Sequence, residues 1–293
     1  MALGGNVTLG DAGGAGALEV LSQAVSLAGT LTMAASGAGA GSLAVLGAMS
    51  IGGAALVGVA GNATLYAAGS LAAGSLTLGS GGVLEATGAA TLSLGSLGNR
   101  GGVTLAGGAR LDARNYAGAG GLTLGGSAVM NIAGTANLSG GLVSLGVGTS
   151  LKAAGLVESA GQLSLAGTLA TTGAMSLSNA QLDNGLVQAG TLSLAGTLAG
   201  YGIIDAGTLI DTGTLAVQGG DLLLAGGSLI GGGVVEIGSQ ATLELNSADL
   251  ASTPISFTGT SSLLVLDDVA AGMPGTANMS SFDAVDLVGV APS

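Results

Sequence analysis

The residues that could carry chemistry in this chain are few and unevenly placed. Its 293 residues contain no His and no Cys, and only four Lys or Arg accompany 16 Asp or Glu. His is the commonest general base, and Cys supplies thiolate nucleophiles and thiolate metal ligands. These classes of site are therefore excluded, and carboxylates are the main reactive groups left to consider.

Four acidic residues near the C-terminal end are the candidate metal ligands. Asp267, Asp268, Asp283 and Asp286 could offer several oxygen ligands to a hard cation such as Ca²⁺. Neighbouring Asp267 and Asp268 would chelate together only in a turn, because adjacent strand residues point to opposite faces. The glycine-rich nonapeptide of calcium-binding β-rolls does not occur. The simpler interpretation is that these acids keep an apolar chain soluble, with no cofactor.

Paired carboxylates could also hydrolyse a polysaccharide. A glycosidase needs two convergent carboxyl groups about 5–9.5 Å apart, and Asp205 and Asp211 are the candidates. Only Tyr201 lies near them in sequence as an aromatic platform for a sugar, and the chain has no Trp. The residues therefore favour a non-catalytic protein, and a polysaccharide-degrading enzyme is the least favoured alternative.

The densest mixed charge cluster is Arg110-Leu-Asp112-Ala-Arg114. In a strand, positions 110, 112 and 114 would share one face, and Lys152 would follow two repeats later. One interpretation is an outward salt-bridged face that contributes about 0–1 kcal/mol per exposed pair. The other is a small basic patch of Arg110, Arg114 and Lys152 that binds an acidic glycan or another partner.

Charge is divided sharply along the chain. Four acids and all four bases lie at or before Lys152, so 12 of the 16 acids and the whole net charge of −12 follow it. Duplex nucleic acid requires a basic footprint, which this distribution does not provide. We therefore expect no nucleic-acid partner.

The composition indicates what kind of scaffold must position these side chains. Gly occurs 60 times, hydrophobic residues make up 48% and aromatic residues 2%. Such hydrophobicity excludes ordinary solvated disorder, and glycine without a three-residue period excludes collagen. The apolar stretch 43–59 is interrupted by glycines and lacks flanking Lys or Arg, so no transmembrane span is expected. The first five residues lack the basic segment of a signal peptide, so an export signal would lie elsewhere.

A repeat of about 20 residues is the strongest pattern in the sequence. Glycines recur at this interval, and Ala180 and Ser239 fill two intermediate slots; the recurring glycines are Gly41, Gly61, Gly82, Gly102, Gly121, Gly141, Gly161, Gly200, Gly220 and Gly259. Within one period, residues 161–180 read GQLSLA, GTLATT and GAMSLSNA, three short segments with strand-like alternation. The pattern predicts an all-β, right-handed parallel β-helix (β-solenoid) with triangular coils of about 20 residues and three short strands each.

Stacked coils should place apolar side chains in inward ladders, for example Leu105 over Leu124, and leave little room for aromatic rings. The unit LSLAGTLA occurs at 163–170 and again at 192–199, and the offset between the copies is not a multiple of the repeat. This offset predicts a slip of one or two strands, or an inserted loop, near residues 183–190. All three prolines lie after residue 253, so we expect solenoid repeats over 1–253 and a cap or junction over 254–293.

The C-terminal third resembles a known group of proteins. The run AGTLSLAGTLAGYGIIDAGTLIDTGTLAVQGGDLLLAGG and the motif Leu264-Val-Leu-Asp-Asp268 resemble the strand repeats of autotransporter passenger domains and filamentous-haemagglutinin-like bacterial adhesins. The segment Ser281-Phe-Asp-Ala-Val-Asp-Leu287 departs from that pattern because its Gly-Asp pair is missing. The resemblance implies a secreted or cell-surface β-solenoid that serves in adhesion, aggregation or biofilm matrix building.

These observations lead to one expected function and two alternatives. The expected function is a structural or adhesive rod whose partners are other copies or a ligand on a host or neighbouring cell. The first alternative is a filament subunit, joined by β-strand addition between solenoid ends. The second is the polysaccharide-degrading β-helix enzyme.

Overall fold

The computed structural model describes residues 1–10, 14–21, 23–34, 39–159, 161–246, 253–267 and 275–288. Strands make up 69% of the structure, and the described residues contain no helix. The strands form a right-handed parallel β-solenoid of about 13 coils, which confirms the predicted fold class. The chain divides into two compact units, Met1–Ala154 (unit 1) and Gly155–Ser293 (unit 2).

The described residues of unit 1 form sixteen complete strands and the first part of a seventeenth. They are β1 Ala2–Leu3, β2 Val7–Leu9, β3 Gly16–Val20, β4 Val25–Leu27, β5 Leu31–Met33, β6 Gly41–Val45, β7 Ala48–Val57, β8 Ala63–Ala67, β9 Ser70–Leu78, β10 Gly82–Ala86, β11 Thr91–Asn99, β12 Gly102–Leu105, β13 Arg110–Gly118, β14 Gly121–Leu124, β15 Val129–Ser139, β16 Leu142–Leu145 and β17 Ser150–Ser159.

In unit 2, the part of the chain that the structure describes forms the end of β17 and eleven further strands. They are β18 Gln162–Leu165, β19 Thr168–Thr171, β20 Ala174–Asp211, β21 Thr214–Ala225, β22 Ser228–Ile230, β23 Val234–Ile237, β24 Thr242–Asn246, β25 Ile255–Phe257, β26 Leu263–Leu266, β27 Thr276–Ala277 and β28 Ala284–Leu287. Among the described residues, every pairing with a recorded register is parallel, including those of the strands after Pro254.

Unit 1 has three faces because each coil supplies three strand segments. Face A follows the register Ser26–Ser50–Ala72–Ser93–Asp112–Asn131. Face B follows Leu31–Ala55–Leu76–Leu97–Tyr116–Ala136. Face C follows Leu43–Leu65–Leu84–Val103–Leu122–Val143.

The inward side chains of these faces form the core. Leu105 pairs with Leu124, and both are almost fully buried, as the sequence predicts. Each buried Leu contributes about 1.5–3 kcal/mol of hydrophobic stabilisation, which only the neighbouring coils make available. The coils therefore stabilise one another through continuous apolar ladders.

The expectation that aromatic rings are kept out of the interior is wrong. Tyr116 and Phe257 are both only 2% exposed. Tyr116 pairs with Leu97 in the preceding coil and with Ala136 in the following coil. Its hydroxyl lies directly over Gly118, where a Cβ would overlap the ring. The small neighbours Ala136 and Gly118 thus make room for one large ring.

The uniform period predicted from the glycines fails in unit 2. Leu163 pairs with Ala180 and Thr197 with Thr214, so these coils are shorter than the coils of unit 1. Coils of the predicted length return later, where Thr214 pairs with Val234 and Thr242 with Leu263. The predicted glycine register through Gly200 is therefore wrong for this stretch.

One corner turn explains the difference in coil length. Unit 1 repeats a four-residue turn before face A, in which the fourth N–H donates to the first carbonyl; the turns are Thr87–Ala90, Ala106–Ala109, Gly125–Ala128 and Gly146–Thr149. Unit 2 has the same turn at Gly238–Ala241. Between Leu163 and Val217 the corresponding corners are shorter, and at one of them Gly200 and Gly202 adopt φ of 123° and 133°. Such angles suit glycine alone.

The repeated LSLAGTLA unit is explained by these short coils. Strand β20 runs through the region 183–190 without an inserted loop. The N–H of Thr191 donates to Gly173, whereas Leu163 pairs with Ala180. The two copies therefore lie on different faces, which supports the predicted strand slip and contradicts the inserted loop.

Candidate functional surfaces

Face A of unit 1 presents two outward ladders of mostly small side chains. One contains Ala48, Ser70, Thr91, Arg110 and Val129, and the other contains Ser26, Ser50, Ala72, Ser93, Asp112 and Asn131. The part of these ladders that ends at Arg110 and Asp112 lines a groove of about 470 Å³. Its wall is polar at regular intervals, and the Ser70 and Thr91 hydroxyls are hydrogen-bonded at 3.0 Å.

A short polar network closes this groove. The Nε of Arg110 donates to Oδ2 of Asp112 at 2.7 Å, and Nδ2 of Asn131 donates to Oδ1 at 2.8 Å. Partial burial raises the pKa of Asp112, but these two hydrogen bonds outweigh it and leave the pKa lowered. The hydrogen bond to Asp112 also raises the pKa of Arg110. The carboxylate is thus held ionised, and the side chain of Arg110 is about half exposed.

The bases predicted as a patch are all exposed. Arg110 and Asp112 point outward on face A, and Arg114 follows at the same parity, in the stretch between Ala113 and Tyr116 where the register with β15 shifts. Lys152 is exposed on β17. The N–H of Ser150 donates to the carbonyl of Ala128, and this bond places the start of β17 on face A. A shared partner for the three bases stays a prediction.

The predicted acidic metal ligands occupy different local environments. Asp283 accepts hydrogen bonds from the N–H of Ser262 at 2.9 Å and from the N–H of Ser280 at 2.7 Å. These bonds lower the pKa of Asp283 and tie a turn to the preceding coil. Its oxygens are thus engaged in a structural role.

The other acids of that set are not gathered around Asp283. Asp286 is exposed on β28, opposite Val265, and Asp267 follows β26, where its N–H donates to Leu245. Asp268 lies outside the described residues. Within the described ranges, no three acidic side chains are grouped closely enough to hold a metal ion.

The two carboxylates considered for polysaccharide hydrolysis do not converge. Asp205 accepts a hydrogen bond from Nε2 of Gln188 at 2.9 Å on the outer side of β20. Asp211 is 0% exposed at the end of the same strand and receives the N–H of Gly213 at 2.9 Å. One carboxyl group faces outward and the other lies inside the coil, so they cannot flank one bound sugar.

Asp211 is the more unusual of the two groups. Its Oδ2 has no hydrogen-bond partner among the described residues. Burial raises its pKa, and the hydrogen bond from Gly213 offsets this only in part. Gly233 lies directly over the carboxyl group, where a Cβ would stand 2.5–2.6 Å from its atoms. This corner therefore has room for the acid only because residue 233 is glycine.

Two buried polar residues were missed by sequence reasoning. Glu158 is 2% exposed and accepts hydrogen bonds from Gly161, Ser178 and Asn179. Asn99 is 1% exposed, and its Nδ2 donates to the Tyr116 hydroxyl at 3.0 Å. Both occupy strand positions that the alternation directs inward, where an apolar residue is expected. A polar residue at an inward position is the signal that could have identified them.

Tyr201 is placed at a corner of unit 2. Its hydroxyl is hydrogen-bonded to Asp183, and this bond raises the pKa of the tyrosine. The ring packs over Gly220, where a Cβ would lie 2.9 Å from Cδ2. Tyr201 thus fixes this corner through a hydrogen bond to Asp183 and a packing contact with Gly220.

The division of charge coincides with the division into units. Unit 1 carries all four bases and four acids, and unit 2 carries 12 acids and no base. In the paired strands of unit 2, the residues that lie opposite an acid in the adjacent coils are uncharged. The outward ladder Ile203–Leu223–Glu244–Val265–Asp286 is an example. Like charges directly opposite one another would be destabilising, and this spacing avoids them.

Known proteins add no second line of evidence. No protein-family model, curated protein or solved structure matches the chain. No helix in the described parts of the chain is long and apolar enough to cross a membrane. The pairing of its strands shows the β-solenoid, and its surfaces are the observations that bear on its role.

Proposed function

We propose that this chain is the structural and adhesive rod of a secreted or cell-surface bacterial protein. The observation that carries the proposal is the way each coil divides its residues. Alternate side chains pack into apolar ladders, and the remaining side chains form outward ladders of Ser, Thr, Asn and a few charges. Such a scaffold presents a long, regular surface to a partner.

The location rests on the resemblance of the C-terminal third to autotransporter passenger domains and filamentous-haemagglutinin-like adhesins. The motif Leu264-Val-Leu-Asp-Asp268 and the Gly-rich strand repeats support it. A parallel β-solenoid is the fold that this resemblance implies, and the chain has that fold. An adhesive role follows from the same resemblance together with the open polar faces.

The carboxylates give little support to a catalytic role. Asp205 and Asp211 point to opposite sides of the coil wall, so neither can act as the partner of the other. A retaining or inverting glycosidase needs both carboxyl groups at one sugar. The proposal therefore assigns the outward faces to binding.

Binding to cells tests this proposal directly. Beads coated with the full chain should adhere to bacterial or host cells, whereas beads coated with a soluble globular protein of similar charge should not. Turnover of an acidic polysaccharide that is lost in Asp205→Asn would overturn the proposal. Absence of adhesion to every cell surface and matrix tested would also count against it.

A self-assembling filament is a second candidate because, among the described residues, apolar side chains of β28 and its turn are incompletely covered. Val285 and Leu287 of β28 are half-buried, whereas their partners Leu264 and Leu266 in β26 are buried. Phe282 beside them is 73% exposed. A strand added over β28 would bury these groups. Fibres in electron micrographs, with a repeat of about 4.8 Å along the axis, would support this candidate.

A further inference from the structure

We propose that face A of unit 1 binds the acidic outer face of unit 2 in a second copy of the chain. This surface of unit 2 is called face F and comprises the outward ladder Ile203, Leu223, Glu244, Val265 and Asp286. The proposal names a partner for the rod-like scaffold, and it rests on the scaffold role but not on a surface location or a receptor.

Charge complementarity between the units is the first argument. Residues 100–152 hold all four bases and only one acid, Asp112, whereas the residues after 152 hold 12 acids and no base. Arg110 and Lys152 lie outward on face A, and Arg114 is exposed beside them. Opposite fields of this kind steer two surfaces together and suppress like-charged pairings.

Matched spacing is the second argument. Lys152 lies two coils beyond the coil of Arg110, and Asp286 lies two coils beyond Glu244. Two coils correspond to about 9.6 Å along a solenoid axis. Lys152 continues the Asp112–Asn131 ladder, about 6.6 Å along the strand from the ladder of Arg110. With the two axes parallel, Arg110 can therefore face Glu244, and the long side chain of Lys152 can reach Asp286 across this offset. Asp112 does not prevent this, because it engages Nε of Arg110 and leaves the terminal guanidinium nitrogens for a partner.

The apolar end of face F fits the groove in the same register. One coil before Glu244, Leu223 would lie over Thr91 and Ser93 of the other copy. Two coils before Glu244, Ile203 would lie over Ser70 and Ala72. These four residues line the 470 Å³ groove, and the Ile203 side chain is 41% exposed. Small hydroxylated and alanine side chains leave the depth that two large aliphatic side chains require.

The contact area predicts a weak interaction. A face four residues wide and five coils long measures about 13 Å by 24 Å, so two copies would bury about 600 Å² in total. Stable interfaces bury about 1,200–2,000 Å². We therefore expect concentration-dependent, salt-sensitive association that becomes strong only when many copies are held close together.

Sedimentation velocity of the full chain over a wide concentration range tests the proposal. The wild-type chain should associate at low salt and dissociate as salt is added. Lys152→Glu and Asp286→Lys should each weaken association by about tenfold, because each replaces an attraction by a repulsion. Arg100→Glu is the matched control, since it makes the same charge change at a corner away from face A.

A mixing experiment identifies the paired residues. Lys152→Glu and Asp286→Lys chains associate poorly alone, but a mixture should recover association, since Glu at 152 of one copy meets Lys at 286 of the other. Circular dichroism of each variant shows that the solenoid is intact. Ile203→Ser should weaken association without changing its salt dependence.

The outcomes separate this proposal from the proposed function. A chain that is monomeric at every concentration and salt level overturns the second copy as occupant, and adhesion of coated beads can still be observed. Binding of polygalacturonate that is lost in Lys152→Glu, with no self-association, assigns face A to an anionic polysaccharide and overturns this proposal. If Asp286→Lys chains recovered association only when mixed with Arg100→Glu chains, Arg100 and not Lys152 would be the partner of Asp286. The proposed pairing of Lys152 with Asp286 would then be wrong.

Discussion

The carboxylate of Glu158 accepts a hydrogen bond from the N–H of Ser178 at 2.7 Å, in the next coil of unit 2. The Ser178 hydroxyl donates to the same oxygen at 2.7 Å, and the N–H of Asn179 donates to it at 3.1 Å. The N–H of Gly161 donates to the other carboxylate oxygen. One buried acid thus accepts hydrogen bonds from amides of two neighbouring coils.

Substitution of Glu158 should therefore destabilise the chain markedly. Glu158→Ala removes an acceptor that several part-buried donors share, and we expect a loss of about 1–3 kcal/mol in the free energy of unfolding, because losing a hydrogen-bond partner below the surface costs about that much. Urea unfolding monitored by circular dichroism measures it. Glu85→Ala, which removes an exposed acid from a strand, is the control and should change the midpoint little. Equal effects of the two substitutions would contradict this role of Glu158.

Replacement by alanine should affect stability very differently at two adjacent glycines at one corner of unit 1. A Cβ at Gly101 would overlap the carbonyl oxygen of Gly82 and stand 2.6 Å from that of Gly79, whereas a Cβ at Gly102 would meet nothing within 4 Å. Gly101→Ala should cost about 1–3 kcal/mol, because backbone in the preceding coil would have to shift. Gly102→Ala should stay within about 1 kcal/mol of wild type. Thermal or urea midpoints that shift equally would show that the coil spacing is not fixed by this corner.

Asp283 should make the stability of unit 2 sensitive to acid. Its pKa is lowered in the folded chain by the amides of Ser262 and Ser280, so its contribution is present above the unfolded pKa of about 3.9 and is lost as pH falls through the lower folded value. Asp283→Asn should be less stable than wild type near neutrality, and the difference should disappear in strong acid. Urea midpoints across this pH range give the result. Asp286→Asn, which neutralises an exposed acid two coils beyond Glu244, serves as the control.

The sequence predicts the fold where its pattern is periodic and fails where one residue changes the local geometry. Leu105 and Leu124 could be placed in one ladder because strand alternation and glycine spacing agree around them. The short coils near Ala180 could not be predicted, because losing one corner turn leaves the strand pattern unchanged.

Side-chain environments were less predictable than strands. The exposed positions of Arg110, Lys152 and Asp286 follow from strand parity and charge. Whether a carboxylate such as Glu158 finds donors depends on amides in the next coil, which a single-coil pattern cannot supply. The sequence could therefore identify outward candidates, but it could not identify the buried ones.

Asp211 should give the opposite pH dependence from Asp283. Burial raises its pKa in the folded chain, so its contribution is fully present below the unfolded pKa of about 3.9 and is lost as pH rises through the folded value. Asp211→Asn removes the buried charge and retains an acceptor for the N–H of Gly213. The variant should therefore become progressively more stable than wild type as pH rises from about 4 to 8.

Urea unfolding at several pH values measures this difference for Asp211. Asp205→Asn is the matched control, because that carboxylate points outward from the same strand and is hydrogen-bonded by Gln188. Its difference from wild type should change far less over the same range. A stability difference for Asp211→Asn that stays constant with pH would show that Asp211 has the same pKa in the folded and unfolded chain, which would contradict the effect of its burial.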